Sequence, residues 1–419
     1  MSERTFVTIG AGQTAAVAAR TLRRRGFDGR IVLIGDEPYA PYQRPPLSKE
    51  FLAGDDGLDT LSILPASWVA DNDVEILTAT TVTRVDPGTR QVENDGGKTI
   101  LADAVLFATG GTPRTLTVPG PRPDLVHHLR TADDALRLRP LMAPGRRLAL
   151  IGAGFIGLEI AATASAAGAE VTLLEAAPVP LGRIVGARMG AECVRLHRDN
   201  GVDVRAGTAV AAVRTTADGV LIECDGVPPL EVDAVVVGIG ITPNVSTAVA
   251  SGLAVDDGIV VDAQGRTAVP QVFAAGDVAR RFSPRAGTHV RLEHFDNANK
   301  QGAAAANAML GRDAVSDEAN WFWSDQFGHN IQFIGAAPQH SEIVVRGNVD
   351  ERDFAAFYLE HGVLRGAFAI DRGEDVMVAR ELLGRSADAA VLADEDADLW
   401  ELTTTEFDDD AQTAEVTHR

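Results

Sequence analysis

Cysteine is scarce in this 419-residue chain, with only Cys193 and Cys224. Neither belongs to a CxxC or CxxxxC pair, so a disulfide framework, a zinc site and a dithiol centre find no support. Both read as small buried apolar residues, and a reducing cytoplasm fits. Aromatic residues make up 5% of the chain, too few for base-stacking platforms. The balance of 38 basic against 59 acidic residues gives a net charge of −21. Such a chain repels phosphate backbones, so nucleic-acid binding is not expected. No apolar run approaches the roughly 18–20 residues that cross a bilayer. No basic leader with a cleavage site precedes the first apolar stretch, so neither a membrane span nor a secretory signal is expected. Lysine is also rare: Lys49, Lys98 and Lys300 stand against 35 arginines.

What is present is ordinary globular material. At about 44 kDa, with 45% hydrophobic and 23% charged residues, the chain has room for two or three domains. Its acidity is uneven. Residues 386–419 carry eleven acids against Arg419, a local charge of −10, which predicts a solvated, partly disordered acidic tail.

One device occurs twice, 142 residues apart. Phe6-Val7-Thr8-Ile9 runs into Gly10-Ala11-Gly12-Gln13-Thr14-Ala15, an alanine-rich helical stretch to about Arg25, and a second strand, Arg30–Ile34, ending at Gly35-Asp36-Glu37. Arg147–Ile151 runs into Gly152-Ala153-Gly154-Phe155-Ile156-Gly157, a helix to about Ala167, and a strand over 170–174 ending at Glu175. The first glycine permits a tight turn. The second lets backbone amides approach a pyrophosphate. The third position is small (Ala15, Gly157), so that helix packs on strand. The helix N-terminus then faces the diphosphate, and the acid accepts from a ribose hydroxyl. Two such units predict two dinucleotides, most economically FAD and NADH, between which a hydride can pass. Glu175 predicts NADH over NADPH, because a carboxylate repels a 2′-phosphate and Ala176-Ala177 offers no cation.

Three further apolar strands stop in small residues: 104–107 before Ala108-Thr109-Gly110-Gly111, 234–237 before Gly238-Ile239-Gly240, and Val272–Ala274 before Ala275-Gly276-Asp277. Continuous Val/Ile/Ala runs bounded by glycine suit buried parallel strands. Their order predicts an α/β fold of two Rossmann-like domains, the second inserted in the first. Residues 1–112 and 245–320 form the FAD domain, 113–244 the NAD domain, and 321–385 a small C-terminal α+β domain of alternating strands with a helix near 376–383.

Taken together, these blocks resemble the two-dinucleotide-binding flavoprotein family, and within it the NADH-dependent ferredoxin reductases of bacterial oxygenase systems. Apoptosis-inducing-factor oxidoreductases are related. The discriminating blocks are Arg44-Pro45-Pro46-Leu47-Ser48-Lys49, Ala275-Gly276-Asp277, Glu293-His294-Phe295-Asp296-Asn297-Ala298 and Phe322-Trp323-Ser324-Asp325-Gln326. The resemblance implies that Gly12, Thr14, Asp36, Lys49, Val82, Arg130, Asp277 and Phe295 line the flavin site, with Gly10, Ala15, Arg44, Thr109, Gly110 and Gly276 around them. Asp277 would hold the ribityl chain, Arg130 the phosphate region, and Trp323 would shield the ring. Gly152, Gly154, Ile156, Gly157, Glu159, Glu175 and Gly240 would hold the nicotinamide dinucleotide. Lys49, paired with Glu159, is assigned the catalytic electrostatic role. Relatives often carry tryptophan where this chain has Phe295, so an indole hydrogen bond is lost there.

The implied activity takes hydride from NADH onto FAD and passes single electrons to a 2Fe-2S ferredoxin that feeds a haem monooxygenase or a ring-hydroxylating dioxygenase. No metal is required. Without a cysteine in Pro41–Lys49, thiol–disulfide exchange is not the chemistry. Arg280, Arg281, Arg285 and Arg291 are candidates for a basic docking patch, against the alternative of a solvated face. An NADH oxidase, a rubredoxin reductase and an NADH-binding redox sensor stay open, as does the choice between monomer and homodimer.

Overall fold

The computed structural model describes residues 4–54, 56–315 and 318–404. Contacts divide the chain into two compact units. One comprises the chain up to Pro180 together with Ala191–Phe322; the other comprises Leu181–Gly190 and the chain from Trp323 onward.

The first unit holds two five-stranded parallel sheets. One runs, in spatial order, Val272–Ala274, Ala104–Phe107, Thr5–Ile9, Arg30–Ile34, Val74–Leu77. The other runs Asp203–Ala206, Glu170–Glu175, Arg147–Ile151, Ala234–Val237, Val126–His127. The second sheet is built wholly from chain lying between the fourth and fifth strands of the first, which is the insertion the sequence predicts. Where the chain crosses out and back, Gly111–Pro113 pairs antiparallel with Ile241–Pro243.

The two repeats share a register. Thr5 to Ile9 face Arg30 to Ile34, and Arg147 to Ile151 face Glu170 to Leu174. Their helices, Gln13–Arg24 and Phe155–Ala166, begin at Gly12 and Gly154. Alanine dominates the buried face of the first helix, so it lies close to Phe295–Met309. A Cβ on Gly302 would meet the Thr14 carbonyl oxygen at 2.7 Å, so only glycine permits that approach.

Each repeat also carries a three-stranded antiparallel sheet that the sequence reading passed over: Val82–Asp86, Gln91–Asn94 and Thr99–Leu101 in one, and Val210–Thr215, Val220–Cys224 and Leu230–Val232 in the other. Asp86-Pro87-Gly88, Asp95-Gly96-Gly97 and Asp225-Gly226 are turn sequences between them and were the available signal.

The C-terminal unit is an antiparallel sheet in the order Trp321–Gln326, His329–Gly335, Val363–Ile370, Asp353–Glu360, Glu342–Asn348, backed by the helix Gly373–Leu382. Two pieces group with it that the expected boundaries assign elsewhere, one to 113–244 and one beyond 385. The helix Gly182–Asp199 breaks at Gly186 (φ 78°, ψ 159°), where Tyr358 donates its hydroxyl to the Val185 carbonyl. That break places Leu181–Gly190 with the C-terminal sheet. Residues 386–404, the first part of the tail read from charge as solvated and partly disordered, carry the short helices Ala389–Ala393 and Glu401–Thr404. Leu392 and Leu399 are buried there, and apolar anchoring outweighs the charge of the neighbouring acids. The remaining acids, at 406, 408–410 and 415, lie outside the described residues. No helix among the described residues is long and apolar enough to cross a membrane.

Candidate functional site

Both glycine turns are shaped by close backbone approach. Gly10 has φ +103°, and a Cβ there would stand 2.2 Å from the Ala108 carbonyl oxygen. Gly152 has φ +101°, with a Cβ 2.3 Å from the Gly238 carbonyl oxygen. At the second glycines the space is open: a Cβ on Gly12 or Gly154 would meet nothing within 4 Å. Neither residue supplies a side-chain cap, and neither helix has an acid in its first turn. The first-turn amides are therefore left for an anion to satisfy. Beside the first turn, buried Gln13 Oε1 has no hydrogen-bond partner. At the third positions Ala15 is fully buried, and a Cβ on Gly157 would strike the Gly152 carbonyl oxygen. Two dinucleotide diphosphates fit these turns, one at each.

The strand-end acids differ. Asp36 is exposed and makes no hydrogen bond or ion pair among the described residues. Glu175 is held at the turn, accepting from Ala153 N at 2.8 Å and Ala177 N at 2.7 Å. Its charge is thus fixed beside the cradle, with lone pairs left for a ribose hydroxyl.

Around the first cradle the structure assembles a polar clamp. Arg130 Nη2 pairs with Asp277 Oδ2 at 2.8 Å, so the two residues assigned to phosphate and ribityl chain meet each other. Arg44 donates to the Arg130 carbonyl and pairs with Glu37 Oε1 at 2.5 Å. Tyr42 donates its hydroxyl to Glu37 and accepts from Ala132 N at 3.0 Å. Burial pushes the Tyr42 hydroxyl well above the ordinary tyrosine range, so it stays protonated as a donor. Gly276 N donates to Gln301 Oε1 at 2.9 Å, and a Cβ on Gly276 would meet Thr14 Oγ1 at 2.4 Å. Thr109 is tied to Asn244 twice, Oγ1 to its carbonyl at 2.7 Å and carbonyl to its Nδ2 at 2.9 Å. Gly110 and Gly240 both take positive φ in the two crossover turns. Glu37, Tyr42 and Gln301 were not anticipated; only the acid after Asp36 and the Tyr42-Gln43-Arg44 block hinted at them.

The central pair lies between the repeats. Lys49 Nζ stands 3.0 Å from Glu159 Oε1, with side chains 10% and 4% exposed. Lys49 leaves the short Pro45–Ser48 turn, whose prolines fix its course, and Glu159 sits one turn into Phe155–Ala166. Phe322 packs against Phe155 at 4.3 Å and stacks on His294 at 5.1 Å between ring centroids. Burial holds the His294 imidazole below its usual value, so it is neutral near pH 7. Phe295 opens the helix that His294 caps. Ile156 is 46% exposed on the open side of the second turn.

Other assignments land differently. The Val82 side chain is buried in the core with Val7, Ile9 and Val105, and its carbonyl accepts from Thr247 Oγ1. Trp323 belongs to the C-terminal unit. Of the four arginines after Asp277, three are engaged locally, while Arg285 is exposed. Arg281 is buried, Arg280 pairs with Asp256, and Arg291 pairs with Asp257 and Glu293. A chain with this excess of acids spends its arginines on local partners. Cys193 is buried, which pushes its thiol up to about 12, and burial also raises Cys224. Both are free.

Residues 4–302 match the pyridine nucleotide-disulphide oxidoreductase family, and residues 321–403 match the reductase C-terminal family. The chain is 39% identical over 94% of its length to the ferredoxin–NAD(+) reductase component of the anthranilate 1,2-dioxygenase system of Burkholderia cepacia, covering 98% of that protein. It is 34% identical to the putidaredoxin reductase of Pseudomonas putida, over 90% of this chain and 91% of that one. Among solved structures, it superposes on the ferredoxin reductase for the CYP199A2 system of Rhodopseudomonas palustris with a TM-score of 0.90 at 35% identity, covering 95% of this chain and 99% of that one. On the reductase of the covalent putidaredoxin reductase–putidaredoxin complex the TM-score is 0.89 at 33% identity, covering 95% and 98%. With both cradles, the inserted second sheet and the reductase C-terminal sheet in place, the chain belongs to the pyridine nucleotide-disulphide oxidoreductase family.

Proposed function

We infer that this protein is an NADH-dependent ferredoxin reductase. It takes hydride from NADH on FAD and delivers single electrons to a 2Fe-2S ferredoxin of an oxygenase system. The observation that carries this reading is near-complete coverage of oxygenase-system reductases by a chain that keeps both dinucleotide turns and has no cysteine in Pro41–Lys49. The family takes its name from disulphide chemistry, but the two thiols here are far from that block in sequence and one is buried. A reducing cytoplasm suits two unbridged thiols.

FAD, when bound, accepts a hydride and releases electrons one at a time. The chain's residues bind and orient. Gly10, Gly12 and the uncapped helix at Gln13 receive the flavin's diphosphate; Asp36 takes the adenosine ribose, and Arg130 and Asp277 border the rest of the chain. Gly152, Gly154 and Glu175 hold the nicotinamide dinucleotide. The Lys49 ammonium, fixed by Glu159, would lie beside the flavin ring and favour negative charge there.

Replacing Lys49 by alanine is expected to slow flavin reduction by NADH roughly ten- to hundredfold in stopped flow. Glu159→Gln should accompany it, because a buried carboxylate stripped of its partner destabilises by itself. Wild-type rates in the double variant would remove Lys49 from the mechanism. Turnover with one-electron acceptors and little oxygen uptake is the expected pattern. Rapid oxygen consumption would favour the oxidase reading, and a long-lived reduced complex without turnover the sensor.

For cofactor choice, Glu175 should favour NADH over NADPH by about a hundredfold in kcat/KM. Glu175→Ala with Ala176→Arg should bring the two within about tenfold. Equal efficiency with both cofactors in the unaltered protein would refute the assignment.

A further inference from the structure

Lys49 Nζ pairs with the Oε1 oxygen of the Glu159 carboxylate. The other, Oε2, accepts the hydroxyl of Ser48. Ser48 is 1% exposed, so this bond forms out of water. The same residue is held from its other side, where its backbone carbonyl accepts from Thr163 Oγ1 at 2.7 Å. Glu159 and Thr163 are four residues apart on Phe155–Ala166 and so share one face of that helix. Ser48 Oγ also lies 3.3 Å from the Pro45 carbonyl, but a hydroxyl has a single proton. The carboxylate is both the closer and the charged acceptor, so the proton goes there.

We propose that Ser48 is a positioning residue for electron entry. Its hydroxyl fixes the Glu159 carboxylate, and through it the Lys49 ammonium. The inference rests on the electrostatic role given to Lys49 above. Removing the hydroxyl takes one donor from a buried carboxylate. The carboxylate is then held by one bond fewer, and its turning carries the ammonium away from its set position. The backbone bond to Thr163 does not involve the hydroxyl, so loosening of the loop and misplacement of the charge can be separated.

The test uses the FAD-loaded protein, with two readouts: the flavin midpoint potential, and the limiting rate of reduction at saturating NADH. Ser48→Ala is expected to shift the potential in the direction that Lys49→Ala does, by less. It should slow reduction about three- to tenfold, on the scale of one lost hydrogen bond, with NADH affinity unchanged. Ser48→Thr, which keeps the donor, should restore both. In a Lys49→Ala background Ser48→Ala should change neither. Thr163→Val should lower the melting temperature and leave the potential alone.

If Ser48→Ala is poorly folded, Ser48→Cys keeps the volume with a weaker donor and should show the same shift at smaller size. Wild-type rate and potential in Ser48→Ala, beside a clear effect of Lys49→Ala, would overturn the role of Ser48 only. A Thr163→Val variant whose potential moves as far as that of Ser48→Ala would also overturn it, by showing a loosened loop. An unaltered Lys49→Ala variant would remove the parent reading and this one with it.

Discussion

Gly10→Ala is expected to give a colourless protein, and Gly152→Ala a yellow one that NADH cannot bleach. The two turns are built alike but serve different ligands, so the same one-methyl change should have opposite spectral outcomes. At Gly10 the new Cβ would stand 2.2 Å from the Ala108 carbonyl oxygen and 2.7 Å from its carbonyl carbon. Both belong to backbone at the end of Ala104–Phe107, a central strand of the first sheet, so neither can swing aside. The backbone at φ +103° disfavours any side chain in addition. Together these cost on the order of 3 kcal/mol or more, relieved only by displacing the turn that receives the flavin diphosphate. At Gly152 the obstacle is the Gly238 carbonyl at 2.3 Å, after Ala234–Val237 of the second sheet. The displacement there leaves the first cradle untouched. Absorption spectra after reconstitution, followed by anaerobic NADH titration, read both outcomes. A yellow Gly10→Ala protein with normal flavin content would show that the first turn does not seat the flavin.

Cutting the chain after Arg385 should destabilise the C-terminal unit by roughly 3–5 kcal/mol, on the scale of breaking a buried charged network. Arg346 stands on the strand Glu342–Asn348 at the sheet's edge and is 8% exposed. Its guanidinium donates to the carbonyls of Asp394, Glu395 and Ala397, and its Nε lies 3.4 Å from Asp375 Oδ1. Arg372 adds a bond to Glu395 Oε2 at 2.5 Å while pairing with Asp353 at 2.9 Å. Truncation removes three acceptors from a buried cation and exposes an edge strand. Arg346→Ala should reproduce most of the loss, about 3 kcal/mol, because it orphans the same carbonyls. Urea unfolding followed by tryptophan fluorescence gives both numbers. Unfolding of the truncated chain at the wild-type midpoint would show that residues 386–404 do not brace the sheet.

That segment shows what reading charge along the chain leaves out. Asp394, Glu395 and Asp396 look like the start of a solvated tail, with only Val391-Leu392 and Leu399-Trp400 nearby as an apolar signal. Their backbone carbonyls are claimed by an arginine some fifty residues earlier. The same non-local capture engages two of the arginines after Asp277. Arg280 and Arg291 reach back to Asp256 and Asp257, across a pairing of Ile259–Val261 with Ala279–Ser283 that no local pattern announces.

What the chain's own order of residues determined are the features whose cause is local. A glycine at positive φ, a small residue five places on and an acid at the next strand's end are all written within about thirty residues. Both cradles, their parallel strands and the insertion of one in the other were legible for that reason. The resemblance, not the spacing, brought Lys49 to Glu159. What only the tertiary structure decided is which side chain completes another's valence. Ser48 and Glu159 are 111 residues apart, and Arg130 and Asp277 are 147 apart. Such bonds depend on how two sheets and a crossover place helix ends in three dimensions, and a hydroxyl or guanidinium leaves no periodic trace of the partner it will meet.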